Sequence, residues 1–324
     1  MDGMNFCRKV SSLWIIALLV LSCLLSGAAA ESGQSPEIAW EWDAEPFAED
    51  AEILTLWVTP MVGADCMLLT FGEHTMLVDV GDRTTTKQVS AMLELAGVES
   101  VEYVFGTHPH ADHMGGIFAM LERGFGIGAY INFFPHDYYE GKQNVIQRQV
   151  IEAVETAGVP ILDMHTEDTI PFGNVTLTAY RIPDDRIDKS LTCNNLSAML
   201  MVQYGDCSML LTADVEGRAQ AILVDLYDLD ADIMKFPHHG LNKADETFLR
   251  EVSPAFTFFT NGSDRPKGAR NQMNKDGYFW MTYTTWGTIV LRTDGHRWTV
   301  RQDFTKEILK HAIKTFNLDP TLFE

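Results

Sequence analysis

The chain is poor in cysteine, in basic residues and in long apolar runs, and each shortage closes off a class of protein. Five cysteines occur in 324 residues. Cys7 and Cys23 fall within the first 30 positions, which leaves Cys66, Cys193 and Cys207 for the body. An odd set of this kind is no disulfide framework, and none of the three has the spacing of a zinc knuckle. Each lies beside apolar residues and reads as a small buried side chain. Lys and Arg total 24 against 45 Asp and Glu, a formal net charge of −21, so the surface offers no strong electrostatic footprint for nucleic acid. Beyond position 30 no stretch stays apolar for the ~20 residues that a membrane span requires. Internal repeats and low-complexity tracts are missing too.

The N-terminus does carry an apolar run. Arg8 and Lys9 precede the run 13–25, and Ala28-Ala29-Ala30 follow it, the order of an export signal. The expectation is a signal peptide over 1–30, cut after Ala30, with the protein extracellular or at the cell surface. A retained N-terminal anchor and a lipid-modified Cys23 are the alternatives. Residues 31–49 are acidic around Trp40 and Trp42 and read as a flexible linker. Residues 50–324 are long enough for one large domain.

Within that domain, apolar runs of strand length at 53–58, 66–70, 75–80, 101–105, 127–133, 175–180, 197–203, 207–212, 232–236 and 256–260 alternate with helical patterns. The helices fall at 87–96, 117–123, 144–156, 216–224 and 247–252, and Gly97 is placed to stop the first. A strand-rich part with turns at Gly287 and Asp294-Gly295 leads to a closing helix over 304–316. Two similar halves each place polar loops where a strand meets a helix, which predicts two sheets packed face to face with helices outside.

The loop after the strand 101–105 reads Thr107-His108-Pro109-His110-Ala111-Asp112-His113-Met114-Gly115-Gly116. Four candidate metal ligands fall within six positions, and imidazole and carboxylate are groups that zinc favours. Alternation along an extended turn points His108 and His110 the same way. Asp112 and His113 diverge, so one loop can feed two neighbouring metal positions. The glycines are expected to let the backbone turn tightly before the next helix. Asp214 follows a strand and precedes a helix, as an N-cap does, while His238 and His239 follow the strand 232–236. Asp79 either orients a ligating imidazole or closes a turn. His74 reads as solvated, and His136, His165, His296 and His311 lack ligand spacing.

The His-x-His-x-Asp-His loop after a strand resembles the signature of the metallo-β-lactamase superfamily, a group of mostly hydrolytic enzymes. The segment Leu210-Leu211-Thr212-Ala213-Asp214 and the run Lys235-Phe236-Pro237-His238-His239-Gly240 are similar to the soluble domain of ComEC-type DNA-uptake competence proteins. Secreted phosphorylcholine esterases share these motifs. The third imidazole common at the first metal is replaced here by Asn194-Asn195-Leu196-Ser197.

The resemblance implies an α/β fold of the αββα four-layer type and two divalent ions, expected to be zinc, sharing a hydroxide. His108, His110 and Asp214 would hold the first ion; Asp112, His113, Asp214 and His239 the second. Asp112 would also orient the nucleophile, His238 would serve the departing oxygen, and Asn195 and His238 would touch substrate. The expected function is that of an exported metal-dependent hydrolase acting on a phosphodiester in a small molecule or surface polymer. The membrane would be met only through an uncleaved or lipidated N-terminus. A lactone or β-lactam hydrolase and a non-catalytic surface-binding protein are the other readings.

Overall fold

Two β-sheets stacked face to face carry the candidate site along one shared edge. The computed structural model describes residues 35–135, 143–278, 280–306 and 308. The leader, His136, His311 and most of the helix expected over 304–316 lie outside the described residues. Ser35–Gln302 is one compact unit; of a second, Met1–Gln34 with Asp303–Glu324, only the end of the last strand and a few residues after it are described.

The first sheet has nine strands. In spatial order they are β1 (Glu37–Trp40), β16 (Arg297–Phe304), β15 (Gly287–Thr293), β2 (Leu54–Val58), β3 (Met67–Phe71), β4 (His74–Val78), β5 (Ser100–Gly106), β6 (Gly126–Asn132) and β7 (Ile161–Asp163). The second sheet has seven: β14 (Met281–Tyr283), β13 (Phe256–Phe259), β12 (Ile233–Lys235), β11 (Cys207–Leu211), β10 (Met199–Tyr204), β9 (Thr176–Tyr180) and β8 (Thr169–Ile170). Phe71 meets Tyr204 edge-on at 5.0 Å between ring centroids, and Thr293 Oγ1 donates to Cys207 Sγ across the sheets at 3.0 Å.

Met67, Leu68 and Leu69 are all buried although they alternate in direction, as happens when a strand is covered on both faces. Leu68, Leu77 and Val104 pack against helices. Those helices are α1 (Thr86–Ala96), α2 (Ile117–Glu122) and α3 (Gln143–Thr156), which contribute Val89, Met92, Leu93, Ile117, Met120, Val150 and Val154. The i, i+3, i+4 spacing of the buried residues of α1 makes it amphipathic. It stops at Gly97, whose φ of 70° lets Gly97 N–H and Val98 N–H reach the carbonyls of Glu94 and Leu93.

In the first sheet β4 through β7 run parallel, and in the second β11 through β14 do. Parallel strands leave their carboxyl ends on one edge, where backbone groups and loops are free to receive a ligand. Asp79 follows β4, the histidine loop follows β5, Asp214 follows β11, His238 and His239 follow β12, and Thr260 follows β13. This topology gathers the polar loops at one place.

Four features depart from the sequence reading. Residues 37–40, expected in a flexible linker, form an edge strand paired in parallel with β16, and Trp40 is buried. Short strands contribute little periodicity, and this one is held by its partner. Gly115 and Gly116 have helical φ of −65° and −72°, so they do not serve a tight turn. They are needed for close approach: a Cβ on Gly116 would lie 2.0 Å from the Val80 carbonyl oxygen. His74 is not simply solvated, since its Nδ1 lies 2.8 Å from Glu102 Oε2. A helix at Lys267–Lys275 was not foreseen, because it buries only Ala269, Gln272 and Met273. Cys66, Cys193 and Cys207 are free and buried. Among the described residues no helix is long and apolar enough to cross a membrane.

Candidate metal centre

Asp214 lies at the middle of the histidines. Its Oδ2 is 3.2 Å from His113 Nε2, 3.4 Å from His239 Nε2, 3.9 Å from His108 Nε2 and 3.8 Å from His238 Nε2. Two ligand groups form around it: Asp112, His113, Asp214 and His239, and beside them His108, His110 and Asp214. These are the two sets drawn from the sequence, brought together by three loops from two sheets. His108 Nε2 and His110 Nδ1 lie 3.0 Å apart, and His239 Nε2 is 3.5 Å from Asp112 Oδ2.

The far side of each ring is anchored, which fixes what the near side can do. His113 Nδ1 lies 2.6 Å from Asp79 Oδ2, so its N–H donates there and Nε2 is left to face the site. Thr107 donates both its backbone N–H and its hydroxyl to Asp79, at 2.9 and 2.8 Å. The same hydroxyl oxygen accepts from His108 Nδ1 at 3.1 Å. Asp79 therefore orients two imidazoles, one directly and one through Thr107. His239 Nδ1 is set between Thr260 Oγ1 at 2.8 Å and Asp65 Oδ1 at 3.1 Å. Of the two readings of Asp79, the orienting one is what the geometry displays.

Behind the histidines is a buried ammonium. Lys235 Nζ lies 2.6 Å from Asp65 Oδ2, 2.6 Å from the Ala213 carbonyl oxygen and 3.5 Å from Asp214 Oδ1. Asp65, Asp79 and His113 are also close enough to form a third ligand group. That group is already satisfied internally, by Lys235 at Asp65 and by the imidazole at Asp79.

The buried carboxylates draw positive charge onto their neighbours. Asp65, Asp79 and Asp214 are buried and Asp112 is partly so, against Lys235 as the one buried lysine among the described residues. Burial disfavours the charged imidazole of His113, but the Asp214 and Asp79 carboxylates outweigh it and hold its pKa well above the usual value. For His239 burial is likewise outweighed by Asp214 and Asp65, and the pKa rises to about 10. His108 goes the other way: burial, then the charge of His113, hold it well below the usual value. His110 is lowered too, first by burial. Burial works against the Asp214 carboxylate, yet His113, His239 and Lys235 keep its pKa well down. Buried His113 Nε2 and His239 Nε2 make no aligned hydrogen bond. Imidazoles and carboxylates whose ligand atoms lie within 4.8 Å of one another, two of the rings holding protons that a cation could replace, fit divalent metal ions.

Strain is concentrated at the same place. The non-glycine residues with positive φ include Asp79, Ala213, His238 and His239. Left-handed backbone at such residues costs of order 1–3 kcal/mol each and persists where the surroundings enforce it. Successive left-handed positions at His238, His239 and Gly240 send His239 inward and leave His238 at the mouth, where its side chain is 20% exposed. His238 Nδ1 lies 3.2 Å from Glu216 Oε1, and its Nε2 lies 3.4 Å from Asn194 Nδ2. His238 belongs to neither ligand group.

Asn195 is not where the sequence reading placed it. Its Oδ1 accepts from Ala219 N–H at 3.2 Å and its Nδ2 donates to Thr192 at 2.8 Å, so it ties its loop to the helix Gly217–Val224. Asn194 is the neighbour that faces His238. The 3-10 turn at Asn194–Leu196 carries both residues, and it is Asn194, not the Asn195 implied by the resemblance, that meets His238. Asp65, Lys235, Thr260 and Glu216 were not singled out from sequence. Only Lys235 carried a local signal, as a cation inside the apolar run Ile233-Met234-Lys235-Phe236.

A two-sheet α/β sandwich with imidazoles and carboxylates gathered at the strand ends defines a fold of the metallo-β-lactamase type with a candidate metal centre. Residues 60–255 match the family model of the metallo-beta-lactamase superfamily, and the chain belongs to that superfamily. Its curated relatives support the ComEC-like branch. The competence protein ComA of Neisseria gonorrhoeae is 24% identical over 222 residues, 67% of this chain and 28% of that protein. ComE operon protein 3 of Bacillus subtilis (strain 168) is 20% identical over 189 residues, 55% of this chain and 22% of that protein. The chain thus spans about a quarter of the length of these relatives. Among solved structures, the metallo-beta-lactamase fold protein YhfI from Bacillus subtilis is 12% identical with a TM-score of 0.48, covering 71% of this chain and 95% of that one.

Metal titration should give two unequal steps with different proton counts. The group with four donors should bind more tightly than the group with three. At neutral pH His239, with a pKa of about 10, holds a proton that an incoming ion must displace. His108 and His110 are already neutral. The tighter step should therefore release protons, and the weaker should release none from its imidazoles. Below pH 10 the apparent affinity of the tighter step should gain about tenfold per pH unit for each proton released. Calorimetry in buffers of different ionisation enthalpy measures this; proton release confined to the weaker step would contradict it.

Proposed function

We propose that this protein is a metal-dependent hydrolase of phosphodiesters that works outside the cytoplasm. The observation that carries the reading is the pair of ligand groups sharing Asp214, with His238 held beside them at the mouth. His108, His110 and Asp214 would hold one divalent ion, zinc by donor type, and Asp112, His113, Asp214 and His239 the other. Such ions supply Lewis acidity and activate water at neutral pH.

The chain's own residues supply the rest. Asp112, 39% exposed, can orient the attacking water, because its carboxylate borders both His239 and solvent. His238 Nε2 faces the ligand groups while the Glu216 carboxylate lies 3.2 Å from its Nδ1, a placement that would let the ring serve the leaving oxygen. Asn194 Nδ2 lies 3.4 Å from the same Nε2. Phosphodiester hydrolysis is favoured over β-lactam or lactone hydrolysis by the asparagine pair where a third imidazole commonly lies, and by the competence-protein relatives. Action outside the cytoplasm is favoured by the charged, apolar and small-residue order of the first 30 positions.

The experiment is turnover by the metal-loaded chain starting at Glu31. Bis-p-nitrophenyl phosphate and p-nitrophenylphosphorylcholine should be cleaved, and activity should vanish with chelator and return with zinc. Cleavage of nitrocefin alone would replace the reading with the β-lactam one. No turnover of any ester by a fully loaded protein would favour a surface-binding role.

A further inference from the structure

Lys235 is a fully buried cation in the last position of a central strand. A lysine at such a site is costly unless paired, and replacing a buried ion pair with apolar residues is often neutral or stabilising. Stability alone gives weak reason for it. Its contacts give a better one. Nζ donates to the carbonyl of Ala213, the residue just before Asp214, which has a left-handed φ of 48°. It also lies 3.5 Å from Asp214 Oδ1, while every imidazole contact of Asp214 is to Oδ2. The same ammonium is 2.6 Å from Asp65 Oδ2, whose other oxygen is 3.1 Å from His239 Nδ1. Thr212 Oγ1 donates to the Lys235 carbonyl oxygen at 2.6 Å, so main chain and side chain of this residue brace the same turn.

We propose that Lys235 is a positioning residue that orients the metal ligands: it holds Asp214 so that Oδ2 alone faces both ligand groups, and it sets His239 through Asp65. It touches neither the mouth nor any reacting atom, because Asp214 lies between. The inference rests on the metal-binding reading of the site. A fixed ammonium at Oδ1 forbids the carboxylate from turning both oxygens to one ion, which would leave the other ion without its shared ligand. Partners behind metal ligands typically change affinity by about 10–100-fold when removed.

The test is zinc affinity by chelator competition, with folding followed by circular dichroism. Wild-type protein tests the underlying reading: no zinc binding there would sink the metal site itself, whatever Lys235 does. Given wild-type binding, Lys235→Met should weaken zinc by about 10–100-fold and should change the absorption spectrum of the cobalt-substituted protein. Unchanged or tighter binding would overturn the proposal, the latter showing that the ammonium merely repels the ions. Lys235→Met leaves Asp65 without its counter-charge and can unfold the chain. The pair Asp65→Asn and Lys235→Met/Asp65→Asn avoids that strain. The double variant should bind zinc more weakly than Asp65→Asn alone, by the part that acts through Asp214. Equal affinities in that pair would show that Lys235 only neutralises Asp65, and the proposal would fall.

Discussion

Asp214→Ala should empty both ligand groups at once. Both groups include this carboxylate, and no other residue is common to them. Bound zinc should fall to near none by elemental analysis, while a change such as His110→Ala, which touches one group, should leave the other filled. Turnover of a phosphodiester should fall by at least about 10³, since the loss removes several kcal/mol of metal-derived stabilisation and each 1.36 kcal/mol is a factor of ten. Removing the carboxylate also takes away the main charge that holds protons on His113 and His239, so their pKa values should drop in the ion-free variant. NMR titration of the imidazoles reads that directly. An Asp214→Ala protein with one full equivalent of tightly bound zinc would show that the groups are independent.

His238→Ala should keep the metal and lose turnover. The ring lies outside both ligand groups, and its loss should cost about 10²–10⁴ in kcat if it donates a proton to the leaving oxygen. An ester with a good leaving group needs little protonation, so its loss should be smaller than that of a poor one. Glu216→Gln should give a milder version of the same pattern, because the carboxylate 3.2 Å from Nδ1 helps to orient the ring. His239→Ala should behave differently, lowering bound metal and rate together. Equal loss for good and poor leaving groups would move His238 from proton donor to substrate binding. Loss of metal from His238→Ala, with His239→Ala still loaded, would exchange the two assignments.

The imidazoles and carboxylates of the two groups were legible because their information is local. Four of them fall within His108–His113, and a strand pattern on one side with a helix on the other suffices to place that loop at a sheet edge. Asp214 and the His238-His239 pair each follow a strand, so the strand order alone brings them to the same edge once the sheets face each other. The glycines of the loop were noticed for the wrong reason, since what they permit is contact with the Val80 carbonyl rather than a turn. Asn195 came from the family resemblance rather than from any local pattern, and the fold ties its amide to Thr192 and Ala219 instead.

By itself the sequence determined the two-sheet sandwich and the donor types, because hydrophobic period and donor spacing are properties of short segments; the division of the donors between two groups came with the family resemblance. The tertiary structure decided what stands behind those donors. Asp79 reaches His113 across 34 positions, Thr260 reaches His239 across 21, and Lys235 reaches Asp65 from the opposite sheet. It also decided the place of Trp40, which is buried on an edge strand held by residues about 260 positions away. A charged residue in an apolar strand has no fixed meaning until its neighbours are known. Water would oppose burying Lys235 alone, and only the carboxylates that the fold brings beside it make the buried ammonium the stable state.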